Sequence, residues 1–332
     1  MRSVEEHLHA VLAGVVPLAP FEVPLMDGRG CVLAEDVVAP WPLPAFDVAE
    51  VEGFAVRASD LLAASDGKPV TLTVVDHVPS GYRASAEVSE GQAIRLGLGA
   101  PVPAGADAVV PLEATDAGVH QVQVRRSVAA GEFIHRRGEE VELGAVVVPG
   151  GSTLGSRETA LLAAVGRGRV TVHPQPRVVV MSVGADLVDA EGHLLPGQVY
   201  DANGLSVASA VHEAGAVAYR VGPVTGDAES LLATLEDQLV RADLVVATMG
   251  ASAEAYELLR RVLAELGTVE FTNVAMTPGT PQAHGTVGPD HTPLFVLPGN
   301  PVSAYVSFEI FVRPVIRRMM GHDRIYRPVV RA

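Results

Sequence analysis

Three segments rich in glycine and small polar residues mark where this 332-residue chain could bind a ligand. Each follows an apolar run that predicts a buried strand. The segments are Ser182-Val-Gly-Ala-Asp186, Thr248-Met-Gly-Ala-Ser252 and Pro298-Gly-Asn-Pro301. A glycine at a strand end lets the backbone pass close to a ligand, and a following helix N-terminus offers unpaired N–H groups to an anion. The segments therefore predict an anion-binding edge.

Two interpretations stay open for these segments. Gly250 with Ser252 suits a turn that cradles an anion and faces a ligand, but it equally suits a tight turn in which Ser252 caps a helix. Asn300 precedes Pro301, which biases its backbone toward an extended conformation, so we expect its amide to point outward from the strand end. Gly299 and Ser303 complete this second candidate binding segment.

Several catalytic signatures are absent from the sequence. It contains no G-x-x-x-x-G-K-[ST] loop and no G-x-S-x-G elbow, and Gly97-Leu-Gly99 lacks the third glycine of a dinucleotide fingerprint. His7 and His9 are two residues apart on a predicted helix, so they lie on different faces and are not expected to bind a metal. ATPase, dehydrogenase and serine hydrolase functions therefore lose support.

Charge and composition limit the partners of the chain. The net charge is −15 and Lys68 is the only lysine, so we expect no binding along nucleic acid. Cys31 is the only cysteine, which excludes an internal disulfide. No apolar run approaches the ~18 residues that a membrane-spanning helix needs. We expect a soluble, cytoplasmic protein.

The elements that position the three segments lie in the C-terminal half. Apolar strands at Arg177–Ser182, Leu244–Ala247 and Leu294–Leu297 alternate with amphipathic helices. Because the strands are apolar on both faces, they predict a parallel sheet covered on both sides, with ligands beyond the carboxyl ends of its strands. We expect Asn203 to cap a helix that ends at Gly215, and a long helix from about Ser303 to Met320, kinked at Pro314.

The N-terminal half has a different texture. Ser3 and Glu6 have the spacing of a capping box, and the apolar residues that follow predict an amphipathic helix. From about residue 17 to residue 173, short runs rich in β-formers alternate with glycine and proline turns. This half is therefore predicted to be dominated by strands.

Taken together, the motifs resemble those of the molybdopterin molybdenumtransferase family, to which the E domain of gephyrin also belongs. The resemblance covers almost the whole chain and rests on several motifs in order. They are Phe46-Asp47 with Gly53-Phe-Ala-Val-Arg57, Gly99-Ala-Pro-Val-Pro103, Gly105-Ala-Asp-Ala-Val-Val110 with Glu113, Arg137-Gly-Glu139, Ser182-x-Gly184 with Leu187, and Leu297-Pro-Gly-Asn-Pro-Val-Ser-Ala304.

The resemblance implies a multidomain α/β protein with β-rich modules. Its C-terminal half is then a three-layer, parallel-sheet domain that resembles molybdopterin-binding proteins. The implied division is a discontinuous first module (1–40 and 140–175), a β-rich inserted module (41–139), the α/β domain (176–323) and a tail (324–332). The family's C-terminal β-domain is expected to be missing. The resemblance also implies an elongated homodimer, with a site shared between the third domain of one subunit and the second module of the other.

For the site, the resemblance implies adenylated molybdopterin and molybdate as substrates, release of AMP, and assistance by Mg²⁺. It implies Glu52, Asp186 and Glu140 as catalytic residues, and Glu52, Asp186 and Glu257 as ligands of Mg²⁺. It assigns the binding of molybdopterin to Gly184, Gly250, Ser252, Gly299, Asn300, Pro301 and Ser303. Other proteins of the molybdenum-cofactor pathway are candidate partners.

The chain departs from the family pattern where this chemistry takes place. An acid of the family is replaced at Ala185 and Ala255, a glycine at Met249, a threonine at Leu98, an aspartate at Glu52, and two lysines at Thr277 and Thr280. A glutamate can replace an aspartate as a cation ligand, but threonine cannot supply the charge that two lysines bring to phosphate or molybdate. We also expect Met249 to project into a turn that the family keeps bare.

Two hypotheses follow from these departures. In the first, the protein inserts molybdate into adenylated molybdopterin, with weakened turnover. In the second, it is a catalytically silent paralogue that acts as a dimeric scaffold or as a regulator of an active enzyme. The sequence leaves both open.

Overall fold

The computed structural model describes residues 1–250 and 253–328, and the chain divides into two compact units. Both units are discontinuous in sequence: the first comprises 1–35, 149–159 and 169–332, and the second comprises 36–148 and 160–168. None of the helices in the described ranges has both the length and the apolar character that crossing a membrane requires.

Short strands dominate residues 1–173, as predicted. The elements are α1 (Val4–Leu12), β1 (Phe21–Pro24), β2 (Val32–Leu33), β3 (Val37–Val38), β4 (Val48–Ala49), β5 (Gly53–Val56), β6 (Val70–Val78), β7 (Gln92–Leu96), β8 (Ala108–Pro111), β9 (Gln121–Val124), β10 (Ile134–His135), β11 (Val146–Val148), α2 (Ser156–Ala164) and β12 (Arg169–His173). The predicted capping box of α1 is present: the amide of Glu6 donates to Ser3 Oγ at 3.1 Å, and the amide of Ser3 donates to the Glu6 carboxylate at 2.8 Å.

The second unit is built around one sheet with strand order β8-β5-β7-β6-β9. Its core contains Phe54, Leu61 and Leu72 on one side and Ile94 and Leu96 on the other, all of them fully buried. Two short antiparallel ladders, β4 with β10 and β3 with β11, accompany this sheet. The unit therefore owes its stability to buried aliphatic and aromatic side chains on a predominantly antiparallel framework.

The C-terminal half alternates strands with helices. The elements are β13 (Arg177–Val183), β14 (Leu187–Val188), β15 (Val199–Tyr200), α3 (Ala202–Ala214), β16 (Val217–Val224), α4 (Ala228–Leu239), β17 (Leu244–Met249), α5 (Ala253–Leu266), β18 (Gly267–Asn273), β19 (Pro281–Val287), β20 (Thr292–Leu297), α6 (Pro301–Ser307) and α7 (Arg313–Met319).

A mixed sheet with strand order β16-β13-β17-β20-β19-β18 forms the centre of the first unit. The strands β16, β13, β17 and β20 are parallel, as predicted. The strands β18 and β19 were not predicted from the sequence: they pair antiparallel with each other, and β19 also pairs antiparallel with β20. The short connections between these strands leave no room for the crossover that a parallel pair requires.

Helices cover both faces of this sheet, which confirms the predicted three layers. Along β13, Val178 and Val180 pack into one cluster with α1, α3, α6 and α7, whereas Val179 and Met181 pack into another with α4 and α5. Because successive side chains of a strand point to opposite faces, an uninterrupted apolar strand is what a doubly covered sheet requires.

Two helix starts differ from the prediction. The cap of α3 is Asp201 and not Asn203, because the Asp201 carboxylate accepts the amide N–H of Gly204 at 2.8 Å. The last helix starts at Pro301 and not at Ser303, and it is interrupted by a π-helical turn at Phe308–Val312. Pro314 has no N–H to donate and lies in the first turn of α7, directly after this π-helical turn; the kink there stays a prediction. The predicted stop at Gly215 is confirmed, with φ +99°.

Candidate functional site

The three glycine-containing segments meet at the carboxyl ends of β13, β17 and β20, and their backbones are in direct contact there. A Cβ placed on Gly184 would lie 3.1 Å from Gly250 Cα. One placed on Gly299 would lie 2.7 Å from the carbonyl oxygen of Gly250 and 2.8 Å from that of Met249. Only residues without a side chain permit this approach, so these glycines are required by the fold of the edge as well as by any ligand.

Asp186 projects onto this glycine cluster. Its Oδ1 atom is buried and has no hydrogen-bond partner among the described residues. A Cβ on Gly250 would lie 2.5 Å from Asp186 Oδ1, and one on Gly184 would lie 2.7 Å from the same atom. Gly250 therefore packs against Asp186 and does not simply face a ligand, which differs from the expectation.

Beneath the glycine cluster lies a buried polar network that the sequence analysis missed. Ser182 Oγ donates to Asp201 Oδ1 at 2.7 Å and lies 2.9 Å from Thr248 Oγ1. All three residues are buried. The signal that could have revealed Asp201 is its position directly before a helix, where an aspartate accepts backbone N–H groups. The network ties the ends of β13 and β17 to the start of α3.

Arg220 on the edge strand β16 connects this network to the surface. Its Nη2 donates to Asp201 Oδ2 at 3.0 Å, and its Nη1 donates to Asp189 Oδ2 at 3.2 Å. Burial alone would lower the pKa of Arg220, but the hydrogen bonds to the two carboxylates raise it. The same contact lowers the pKa of Asp189. Arg220 is therefore held as a cation between two anions, and no sequence motif indicated it.

Two asparagines border the same edge. Asn203 Nδ2 donates to the carbonyl oxygen of Gly299 at 2.7 Å, which leaves its buried Oδ1 without a partner in the described ranges. Asn300 Oδ1 accepts the amides of Val302 and Ser303 at 3.1 Å and 3.2 Å. The amide of Asn300 thus caps α6 and does not point outward as expected, because Pro301 leaves the next two N–H groups of the helix to be satisfied.

Two clefts open at this edge. The α5 cleft has a volume of about 520 Å³ and is lined by Gly184, Ala185, Glu254, Glu257 and Arg261, among others. The α6 cleft has a volume of about 380 Å³ and a mostly apolar wall that includes Leu187, Tyr200, Met249 and Pro301, together with Asn203, Gly250, Gly299 and Asn300. The structure thus brings most of the predicted binding residues of the first unit to these two clefts. Ser303 is buried in the first turn of α6, and Ser252 lies outside the described residues.

The predicted ligands of Mg²⁺ (Glu52, Asp186 and Glu257) and the predicted catalytic residue Glu140 are distributed between the two units. Asp186 and Glu257 belong to the first unit, whereas Glu52 and Glu140 are exposed residues of the second. Among the described residues, no group of three or more His, Cys, Asp or Glu side chains could hold a metal ion. Of the predicted ligands, Asp186 fits a cation best, because its Oδ1 accepts no hydrogen bond from the residues that the structure describes.

The other predicted carboxylates already face basic groups. Glu52 Oε1 lies 3.0 Å from Arg95 Nη2, and Glu140 Oε1 lies 3.5 Å from His135 Nε2. Glu257 Oε2 lies 3.6 Å from Arg260 Nη1. All of these contacts lie at the surface, where an ion pair contributes little to stability. These carboxylates can therefore exchange partners at low cost.

The structure shows the surroundings of three positions that depart from the family pattern: Met249, Thr277 and Thr280. Met249 is the last residue of β17; it packs against the core beneath the edge and also lines the α6 cleft. In the loop between β18 and β19, Thr280 Oγ1 donates to the carbonyl oxygen of Met276 at 2.9 Å, while Thr277 is exposed. Gln282 Nε2 bonds the carbonyl oxygen of Gly279 and Ser307 Oγ, both at 2.6 Å. These hydrogen bonds stabilise the loop without any contribution from a lysine side chain.

Comparison with known proteins assigns both halves of the chain. Residues 2–166 match the MoeA N-terminal region (domain I and II), and residues 179–318 match a probable molybdopterin binding domain. The crystal structure of the molybdopterin biosynthesis moeA protein from Pyrococcus horikosii superimposes with a TM-score of 0.84 at 34% identity, covering 97% of this chain and 80% of that one. The class is thus a MoeA-like multidomain protein.

Curated relatives narrow this class to one family. Molybdopterin molybdenumtransferase 1 of Mycobacterium tuberculosis is 42% identical, covering 100% of this chain and 82% of that protein. Molybdopterin molybdenumtransferase of Bacillus subtilis is 35% identical, covering 91% of this chain and 71% of that protein. The chain belongs to the molybdopterin molybdenumtransferase family.

Proposed function

We propose that this protein acts in the biosynthesis of the molybdenum cofactor, where it inserts molybdate into adenylated molybdopterin and releases AMP. The observation that carries the proposal is the meeting of three bare backbone segments beside a carboxylate oxygen of Asp186 that has no partner in the described part of the chain. A buried polar atom without a partner costs free energy, so it is retained where a ligand supplies the missing contact.

The two clefts divide the chemistry that such a ligand requires. The α6 cleft has an apolar wall and the volume expected for a small-molecule site, which suits a flat pterin ring. Arg261 lines the α5 cleft and makes no hydrogen bond or ion pair with another residue in the described part of the chain. It suits the anionic portion of the substrate.

We assign the binding of molybdopterin to the residues named from the sequence: Gly184, Gly250, Ser252, Gly299, Asn300, Pro301 and Ser303. Glu52, Asp186 and Glu140 are the proposed catalytic carboxylates. We also propose a cytoplasmic homodimer with the modular division given above, so that carboxylates of the second unit can complete a site on a partner subunit.

Mg²⁺ is the proposed cation, with Asp186, Glu257 and Glu52 as its protein ligands. Mg²⁺ is commonly held by one or two carboxylates, substrate phosphates and water, so each unit needs to supply few of its ligands. When bound, the ion would supply positive charge to the phosphate that leaves with AMP. The role of this chain's own residues is to hold the pterin, orient the phosphate and exclude water.

Weakened turnover remains part of the proposal, because Thr277 and Thr280 bring no positive charge to the site. The comparisons favour the enzyme over the silent paralogue, since the similar curated proteins are themselves named as transferases. A single arginine in the α5 cleft would replace only part of the charge of two lysines.

Two measurements test the proposed function. The purified protein is incubated with adenylated molybdopterin, molybdate and Mg²⁺, and AMP release is followed. The gene is also introduced into a strain that lacks its molybdenumtransferase, and the activity of a molybdenum enzyme is scored with and without excess molybdate. We expect AMP release and partial rescue that improves with molybdate. If the protein releases no AMP and does not rescue the strain at any molybdate concentration, the proposed function is overturned in favour of the silent paralogue.

A further inference from the structure

The segment that connects β13 to α3 forms one wall of the proposed site. It carries Asp186 at one end and contributes Leu187, Val199 and Tyr200 to the α6 cleft. Its own backbone contacts are few. The strands β14 and β15 pair in parallel over two residues each, and the amide of Val199 donates to the carbonyl oxygen of Asp186 at 2.8 Å. So small a ladder is weak support for a wall that must hold a ligand.

One side chain from outside the segment contacts it at two points, directly after β14 and directly after β15. Arg220 on β16 binds Asp189, which directly follows β14, and Asp201, which directly follows β15. The guanidinium is planar and offers several N–H groups in a fixed geometry, so it can bridge two carboxylates at once. Gly204 lies against this bridge: a Cβ there would be 2.3 Å from Asp201 Oδ2 and 3.0 Å from Arg220 Nε.

The two carboxylates differ in exposure. The side chain of Asp201 is fully buried, whereas that of Asp189 is 49% exposed. The bond to Asp201 therefore belongs to the core of the domain, because removing either partner would leave a buried charge alone. The bond to Asp189 adds little to global stability and acts on the connecting segment alone.

We propose that Arg220 is a positioning residue, which fixes the wall of the α6 cleft, and Asp186 with it, through its bond to Asp189. The inference rests on the proposed function, since it assigns the clamped segment to the binding of adenylated molybdopterin. Arg220 does not touch the ligand in this scheme. It acts by keeping the segment from residue 184 to residue 200 in its binding conformation before the ligand arrives.

The variant Asp189→Asn tests this role without disturbing the buried bond to Asp201. We expect KM for adenylated molybdopterin to rise about fivefold, the most that a half-exposed ion pair can contribute, while kcat changes by less than about twofold, because preorganisation of the wall is lost. Hydrogen exchange of the amides between residues 185 and 200 should accelerate. Asp189→Glu, which keeps the carboxylate, should recover most of the affinity.

A matched control exists in the same sheet. Arg177 Nε and Nη2 bond to Asp243 at 3.0 Å and 2.9 Å, at the opposite ends of β13 and β17. Asp243→Asn should lower the melting temperature and leave KM unchanged, which separates positioning from general stabilisation.

Three outcomes decide the matter. Raised KM in Asp189→Asn with unchanged KM in Asp243→Asn supports the inference. Unchanged KM in Asp189→Asn overturns it, even if the protein is less stable. If the wild-type protein releases no AMP, the proposed function fails; the clamp is then supported by faster exchange between residues 185 and 200 in Asp189→Asn and overturned by unchanged exchange.

Discussion

The two ends of the central sheet differ in whether their polar side chains have hydrogen-bond partners. At the amino ends of β13 and β17, Asp243 accepts the backbone N–H of Arg177 at 2.7 Å together with two bonds from its guanidinium. At the carboxyl ends of β13, β17 and β20, buried oxygens of Asp186 and Asn203 have no partner among the described residues. The amino ends of the sheet therefore carry a carboxylate with several donors, whereas its carboxyl ends carry buried oxygens without a partner in the described residues.

This difference separates stability from function. A buried polar group without a partner costs about 1–3 kcal/mol, so a domain tolerates it where the contact is made by something else. Because the carboxyl ends of a parallel sheet are where ligands bind, incomplete bonds there point to a ligand. Complete bonds at the amino ends serve the fold alone.

The strongest test of this contrast is the removal of the Asp186 carboxylate. Asp186→Asn should lower the rate of AMP release by about 100-fold or more, because one electrostatic partner of the reaction is lost. The melting temperature should stay about the same, since within the described residues Asp186 Oδ1 makes no hydrogen bond that the substitution could remove. The matched control is Glu191→Gln, an exposed acid on the same connecting segment, which should leave both quantities unchanged.

Two buried histidine nitrogens without partners in the described residues lie away from the strand ends, so they test the contrast between the two ends of the sheet. His7 is buried, and burial together with His284 lowers its pKa to about 4. Burial also lowers the pKa of His284, and both Nδ1 atoms lack partners among the described residues. These groups pack on the face of the sheet and not at its carboxyl ends, so they should affect stability and not activity.

The pH dependence of unfolding tests this expectation. Between the unfolded pKa of 6.5 and the folded pKa of about 4, the unfolded state binds a proton at His7 that the folded state does not. Stability is therefore complete above pH 6.5 and falls as the pH drops to 4, by on the order of 2–3 kcal/mol. The unfolding free energy, measured by urea unfolding at several pH values in this range, should depend less steeply on pH in His7→Leu than in the wild-type protein. A change in KM at neutral pH in that variant would contradict the contrast.

An intermediate effect is expected at the glycine cluster. Gly250→Ala introduces a Cβ 2.5 Å from Asp186 Oδ1 and 3.3 Å from Gly184 Cα. We expect a loss of about 2 kcal/mol in unfolding free energy from overpacking, together with weaker substrate binding. Gly168→Ala is the control, since no other atom lies within 4 Å of the new methyl group. Unchanged stability in Gly250→Ala would mean that this turn faces only a ligand.

The sequence predicted the layers of the first unit better than the details of its edge. Periodicity alone located β13, β17 and β20, because apolar runs between glycine-rich turns are unambiguous. The capping box of α1 and the stop at Gly215 follow from local chemistry, which the sequence displays directly. The antiparallel strands β18 and β19 were missed, because their half-exposed residues lack such a pattern.

The polar network could not be predicted for a different reason. Asp201 and Arg220 are 19 residues apart in sequence and meet only because β16 pairs with β13. No local pattern records a contact that depends on strand pairing. The cap exchange between Asp201 and Asn203 has the same origin, since Asn203 is drawn to the carbonyl oxygen of Gly299 in another segment.

The smallest predicted effect concerns charge in the α5 cleft. Arg260 and Arg261 are neighbours on α5, but they differ in their surroundings: Arg261 lines the cleft without a partner in the described residues, whereas Arg260 lies 3.6 Å from Glu257. If the carboxyl edge is left incomplete for an anionic ligand, the two arginines should not be equivalent. Arg261→Gln should raise KM for molybdate about tenfold, or ~1.4 kcal/mol, and Arg261→Lys should recover part of it.

Arg260→Gln provides the comparison, because it removes the same charge from the same helix one residue away. Both variants change the long-range potential of the protein equally, and this change is weakened by salt at 0.15 M, where the screening length is about 8 Å. A direct contact with the anion should therefore affect only the Arg261 variant, and the effect should persist at that ionic strength. Equal KM values for molybdate in the two variants would show that only the net charge of the protein affects binding. They would also show that the α5 cleft does not bind the anion. In that case the carboxyl ends of the strands would bind only the pterin, and Asp186 and Asn203 would supply the polar contacts to it.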